Sequence, residues 1–201
     1  MREQAIKQAL ARHLTAEASL GMAPVLLEEV EIHGGQVRAD IVDVSQFHCY
    51  EIKSDGDSLA RLMSQGACYA LTFDRVTLVL ALRHVEKAME VLPTWWGVMV
   101  VPENEEGGFL SIRQAGANQH LEPEMLASLL KREECLDLLQ KRVALKGWKS
   151  KSLYQIQHRI ALMLSLKELK AEAKYYLGLR SPLQISTSFP RLKEYYTSSA
   201  L

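Results

Sequence analysis

Apolar residues recur at helical spacing at the start of the chain. Ala5, Ile6, Ala9 and Leu10 within residues 3–13 predict an opening amphipathic helix. After Pro24 the pattern shifts toward period two, and Val25-Leu26-Leu27 with Val30 and Ile32 predicts a strand that ends at the turn signal Gly34-Gly35. A second strand is expected from Gln36 to Val44 and a third from Phe47 to Lys53, joined through Ser45-Gln46. The polar run Ser54-Asp55-Gly56-Asp57-Ser58 offers N-caps for a helix over 59–73, with Asp55 and Asp57 expected to cap it rather than bind a ligand. Val76 to Ala81 is a short continuous apolar run, as in a central strand buried on both faces. A short helix over 84–92, a strand over 97–101, a turn at Asn104 to Gly108 and an edge strand over 109–113 follow. The order helix, three-strand meander, helix, strand predicts an α/β fold with a mixed sheet.

From Ala115-Gly116-Ala117-Asn118 onward the pattern is helical. Helices are expected over 124–142, 153–164 and 166–177, with breaks near Lys146-Gly147 and at Ser165, and with Gly178 and Pro182 closing the last. The chain therefore divides into a core over 1–115, a helical region over 116–182 that is basic from 141, and a loosely structured tail over 183–201.

With 48% apolar and 24% charged residues in 201, the chain can bury a real core, which excludes disorder and low complexity. No apolar run approaches the roughly 18–20 residues of a bilayer span, and no apolar stretch follows the mixed-charge start Met1-Arg2-Glu3-Gln4, so neither a membrane span nor a secretory leader is expected. Cys49, Cys68 and Cys135 are widely spaced and lack a CxxC, which argues against a disulfide framework or zinc knuckle and makes the cytoplasm the expected compartment.

Zero net charge hides an asymmetry. Residues 1–140 carry 12 Lys/Arg against 21 Asp/Glu, net −9, whereas residues 141–201 carry 12 against three, net +9. Two readings follow: the basic helices grip a polyanion, or they pack on the acidic core and neutralise it.

The chemistry concentrates in Arg38-Ala39-Asp40-Ile41-Val42 and Tyr50-Glu51-Ile52-Lys53-Ser54. Strand alternation puts Glu51 and Lys53 on one face and Ile52 on the other. Such charges on apolar strands are costly to bury unless they pair or hold a metal. Two carboxylates one hairpin apart make a hard oxygen site for Mg²⁺ or Mn²⁺, and the ammonium could steady a water or a developing phosphate charge. The plainer alternative is a cross-strand Glu51–Lys53 ion pair on a solvated face. Asp57, Arg61, Gln65 and Tyr69 recur every four residues and form one polar stripe along a helix.

Asp40, ten residues, then Glu51-Ile52-Lys53 resembles the D-x(n)-(D/E)-x-K signature of the PD-(D/E)xK nuclease superfamily, and Gln65-Gly66-Ala67-Cys68-Tyr69 resembles the QxxxY element of its RecB-like branch. The longer pattern over residues 1–101, including Glu29, Arg61-Leu62, Asp74 to Val79 and Trp95-Trp96-Gly97, is similar to a family of bacterial and phage proteins of unsettled function that carry this core. Ala39 departs from the proline that often precedes the first aspartate. The resemblance implies a restriction-endonuclease-like fold and Mg²⁺-dependent hydrolysis of DNA phosphodiesters. It implies that Asp40, Glu51, the Ile52 carbonyl and an upstream acid would hold Mg²⁺ or Mn²⁺ while Lys53 activates water. Glu29 is the expected upstream acid, with Glu28, Glu31 and Glu17 as rivals. Gln65 and Tyr69 would position the metal shell or a phosphate. A catalytically silent module that binds nucleic acid or protein is the alternative function, and a protein partner supplying specificity is a further expectation.

Arg61 is expected to contact the nucleic-acid backbone, and so are Lys146, Lys149 and Lys151, which flank Trp148, and Arg159 just beyond. Trp95 and Trp96 fill core or edge space, or stack bases. The six histidines show no metal-binding spacing, and His48 and His84 are expected at the surface or as caps. Cys68 is expected to be a packed thiol.

Overall fold

The computed structural model describes residues 3–18, 23–102, 108–143 and 146–185. Among the described residues, six strands lie side by side in chain order: β1 (Leu26–Ile32), β2 (Val37–Asp43), β3 (His48–Lys53), β4 (Arg75–Leu80), β5 (Gly97–Val100) and β6 (Leu110–Arg113). β1, β2 and β3 form an antiparallel meander; β3, β4 and β5 run parallel; β6 returns antiparallel at the edge. Each parallel step needs a crossover, supplied by α2 (Leu62–Thr72) and α3 (Val85–Val91).

The two sheet faces have separate covers. Helix α1 (Glu3–Glu17) buries Ile6, Leu10 and Ala11 against Leu26, Ile41, Tyr50, Ile52 and Val79. The other face packs under α2 and the C-terminal helices α4 (Pro123–Ala127), α5 (Arg132–Arg142), α6 (Leu153–Met163) and α7 (Leu166–Gly178). Val42, Cys49, Val76 and Leu78 of the sheet share one apolar cluster with Leu126, Leu138, Ile160, Leu169 and Leu177. Among the described residues, no helix is long and apolar enough to cross a membrane.

The structure changes several expected boundaries. The helix predicted over 124–142 is two helices, because the carbonyls at the bend are taken by side chains from elsewhere. Gln157 Nε2 donates to Leu130 O at 2.9 Å, and Arg180 Nη2 donates to Leu129 O at 2.7 Å. The helix predicted over 59–73 starts only at Leu62, and neither Asp55 nor Asp57 caps it. Asp57 instead accepts from Ser54 N and Ser54 Oγ, each at 2.7 Å, closing the loop on itself, while Asp55 pairs with Arg83 at 3.4 Å. The expected loose tail is anchored at its start: Leu183 is buried on the α1 face, and its N–H donates to Leu26 O on the edge strand β1 at 2.7 Å. The rest of that tail, from residue 186, lies outside the described residues, as do residues 103–107 of the predicted turn.

His48 is also not where expected: it stacks on Tyr50 and bonds Thr77 Oγ1 at 2.8 Å, and burial with the nearby Arg75 charge lowers its pKa to about 3, so it stays neutral. His84 does occupy the N-cap position of α3, but its side chain makes no capping bond and its Nε2 is buried.

Basic residues of the C-terminal helices are used inside the molecule. Lys170 of α7 pairs with Asp74 at 2.9 Å, Lys174 donates to Ser45 O at 2.6 Å, and Arg142 reaches Glu172 at 3.0 Å. Part of the charge asymmetry is thus neutralised between helices and sheet.

Candidate active site

The antiparallel ladder between β2 and β3 pairs Asp43 with His48, Val42 with Cys49 and Ile41 with Tyr50, then stops. At the next position the strands part, and the Asp40 side chain enters the gap, where its Oδ2 accepts the Ile52 N–H at 2.7 Å. An extended residue sends its N–H and C=O to the same strand edge, so the Ile52 carbonyl opens on this gap too. On the far side, the Lys53 carbonyl faces β4 and accepts the Ala81 N–H at 3.1 Å. The fork creates a pocket of about 310 Å³ lined by Asp40, Glu51, Ile52, Lys53, Glu29, Glu3, Arg38, Asp57, Arg61 and Gln65 among others.

Glu51 is 1% exposed, and both its oxygens are engaged. Oε1 accepts from Lys53 Nζ at 2.5 Å and Oε2 accepts from Tyr69 Oη at 2.7 Å. Tyr69 comes from α2 and is fully buried, so the phenol fixes the carboxylate from the core side. Burial first, and then the charge of Glu51 and its hydrogen bond, raise the Tyr69 pKa and keep its proton in place. The expected polar stripe therefore divides: Asp57 and Arg61 precede α2 and line the pocket together with Gln65, whereas Tyr69 reaches it through Glu51.

Burial, and then the charge of Glu51, push the Asp40 carboxyl up to about 7, against the opposing pull of the Ile52 amide and Lys7. Two carboxylates lining one pocket repel in a medium of low polarity. Glu29 is the upstream acid that the fold brings to Asp40. It sits at the one β1 position that leaves the β2 ladder, with φ of +55°, and this turns its side chain toward the pocket. There it meets Lys7 and Arg38. The rivals lie elsewhere: Glu28 and Glu31 are exposed on β1, and Glu17 pairs with His13 at the far end of α1.

Sequence patterns missed Glu3 and Lys7. The Lys7 side chain is 4% exposed and lies 2.9 Å from Glu3 and 3.6 Å from Asp40. Burial alone would lower its pKa, but hydrogen bonds to Glu29 and Glu3 carry it above the ordinary ammonium range. The only advance signal was the Glu3–Lys7 spacing of one helical turn.

A family model described as bacteriophage P4 protein cII matches residues 1–180. The chain belongs to the phage P4 cII protein family. The cII protein of Enterobacteria phage P4 itself is 30% identical over 141 residues, which are 69% of this chain and 53% of the relative, so the chain spans about half of that protein's length. A solved structure of a protein of unknown function from Silicibacter pomeroyi is 21% identical, covers 76% of this chain and 96% of its own, and superposes with a TM-score of 0.44.

The remaining expected residues of this cII-family chain fall outside the pocket. Lys146, Lys149 and Lys151 are exposed in the α5–α6 connection, where Arg132 donates to Lys149 O at 2.6 Å and Lys151 O at 2.9 Å, and Arg159 is exposed on α6 itself. Trp96 is 2% exposed and packs in the core, so it is not a base-stacking platform; Trp95 is half-buried edge-on against it. Cys68 is half-buried on α2.

Proposed function

We propose that this protein is a Mg²⁺- or Mn²⁺-dependent nuclease of the PD-(D/E)xK kind that hydrolyses DNA phosphodiester bonds, and that its mixed sheet is a restriction-endonuclease-like core. One observation carries the reading: Asp40, Glu51 and Lys53 line a single pocket at the fork between β2 and β3, with the Ile52 backbone and Glu29 beside them. The donor set fits a hard divalent cation, because oxygens alone are offered by the acids and the carbonyl. The raised Asp40 pKa points the same way, since a divalent ion would relieve the repulsion from Glu51.

Asp40, Glu51 and the Ile52 carbonyl would hold the ion, with Glu29, paired with Lys7 and Arg38, standing beside Asp40. When bound, it would supply Lewis acidity to a water and to a phosphate oxygen. Lys53 sits on Glu51 Oε1 and would orient the attacking water. The water oxygen would form the new bond to phosphorus as the ester bond breaks; the water gives up a proton to solvent, and the departing oxygen takes one from solvent. Tyr69 holds Glu51 in one orientation, and Arg61 and Gln65 at the pocket wall would meet the phosphate backbone.

A second reading is a silent nuclease-fold module that binds nucleic acid or a protein partner. It is favoured by the fact that both oxygens of Glu51 and both of Glu29 already have partners within the chain. The test incubates the protein with supercoiled plasmid and single-stranded DNA in Mg²⁺ or Mn²⁺, beside Asp40→Ala and Lys53→Ala. Cutting that both substitutions abolish supports the nuclease. Binding without cutting by the parent supports the silent module.

A further inference from the structure

Lys7 is a buried cation that pairs with three acids of the pocket wall and lies outside the D-x(n)-E-x-K pattern. Its ammonium meets Glu29, Glu3 and Asp40, and one carboxylate oxygen from each of these acids lies within 4.8 Å of the other two. Three hard oxygens so grouped are the donors a divalent ion takes. Here an ammonium on a helix stands among them, with a side chain only 4% exposed. The helix cannot readily carry it away, because Ile6 at 1% and Leu10 and Ala11 at 0% exposure fix α1 to the sheet. Arg38 takes the other oxygen of Glu29, so that acid is neutralised from both sides.

We propose that Lys7 is the resident cation of the Glu3–Glu29–Asp40 carboxylates and that it limits the pocket to a single divalent ion, held on the Asp40–Glu51 side. The second half rests on the divalent-ion reading given above; the first half stands on the ion pairs. The physical reason is exclusion. Two-metal sites place their ions about 3.5–4 Å apart on shared carboxylates. Asp40 is the shared carboxylate here, and an ammonium on its Oδ1 side repels a second divalent ion from that position. Lys7 thus does with one fixed positive charge what a second metal ion does elsewhere: it screens Asp40 and Glu29 from one another. It is a positioning residue and touches no reacting atom.

Titration of the metal-free protein with Mn²⁺ tests this, followed by calorimetry and by the electron-spin resonance of bound Mn²⁺, with circular dichroism as a check on folding. The unmodified chain is expected to take one Mn²⁺. Lys7→Met, which keeps the stem and removes the charge, is expected to take two, with the line broadening of a coupled Mn²⁺ pair. Lys7→Arg is expected to return to one. One Mn²⁺ on both the unmodified chain and Lys7→Met would overturn the inference and leave the nuclease reading standing. No Mn²⁺ on either would retire both. No Mn²⁺ on the unmodified chain with one on Lys7→Met would uphold the resident cation and remove the ion from the Asp40–Glu51 side. If Lys7→Met does not fold, the count is read on Lys7→Gln, where two Mn²⁺ uphold the inference and one overturns it; a second Mn²⁺ bound with Lys7 in place contradicts it outright.

Discussion

The Asp40 carboxylate accepts the Ile52 amide at 2.7 Å in the gap where the next rung of the β2–β3 ladder would stand. A side chain here replaces a backbone partner, so the two strands part without leaving the buried amide unsatisfied. The opening this creates is the candidate site. The cost is that Asp40 must lie near Glu51 in a poorly solvated place.

That cost is measurable as a pH dependence. Folded Asp40 holds its proton to about pH 7, whereas the unfolded chain releases it near 3.8. The favourable contribution is therefore complete below about 3.8 and lost as pH rises through about 7. Asp40→Asn is expected to be more stable than the parent by on the order of 1–3 kcal/mol at pH 8 without divalent ions, and nearly equal at pH 4. Urea denaturation at both pH values checks this; a gain independent of pH contradicts it.

Tyr69→Phe removes the hydroxyl from Glu51 Oε2 and leaves a buried acceptor short of a partner. The expected loss is about 1–3 kcal/mol by chemical denaturation. Because the two groups act as one unit, Tyr69→Phe with Glu51→Gln should cost less than the sum of the single changes. Additive losses would show that the two groups are not coupled.

Gly66 gives Trp96 its place. A Cβ at Gly66 would stand 2.9 Å from the Trp96 ring, and the buried indole has little room to shift. Gly66→Ala is expected to destabilise by about 1–3 kcal/mol, with part of the loss recovered when Trp96→Phe is added. A neutral Gly66→Ala would contradict this packing.

The basic helices divide into two kinds of residue. Lys170→Ala breaks a partly exposed pair with Asp74 and should cost up to about 1 kcal/mol. Replacing exposed Lys146, Lys149 and Lys151 with Ala should leave thermal stability unchanged. If these lysines meet phosphates, DNA affinity falls and its salt dependence becomes shallower by as much as about 0.9 for each phosphate no longer neutralised. Equal affinity and slope would remove them from the interface.

The strands were legible because alternation and short apolar runs are local signals: Val76 to Ala81 reads as buried on both faces, and β4 is. Asp40, Glu51 and Lys53 were legible as a group because a tight connection leaves little freedom in how neighbouring strands pair. Glu3 and Lys7 were not, since their approach depends on how α1 docks, and that is decided by Ile6 and Leu10 meeting residues far along the chain. The bend between α4 and α5 was hidden for the same reason: Gln157 and Arg180, which satisfy its carbonyls, arrive from later helices. The packing of His48 was not legible, because its partner Thr77 lies on β4, 29 positions away.

Diffraction from crystals soaked in Mn²⁺ tests the central claim most directly. The account predicts an anomalous peak at about 2.0–2.3 Å from oxygens of both Asp40 and Glu51, absent in Asp40→Ala. A soaked crystal with no peak between these two carboxylates, or the same peak in Asp40→Ala, would contradict it.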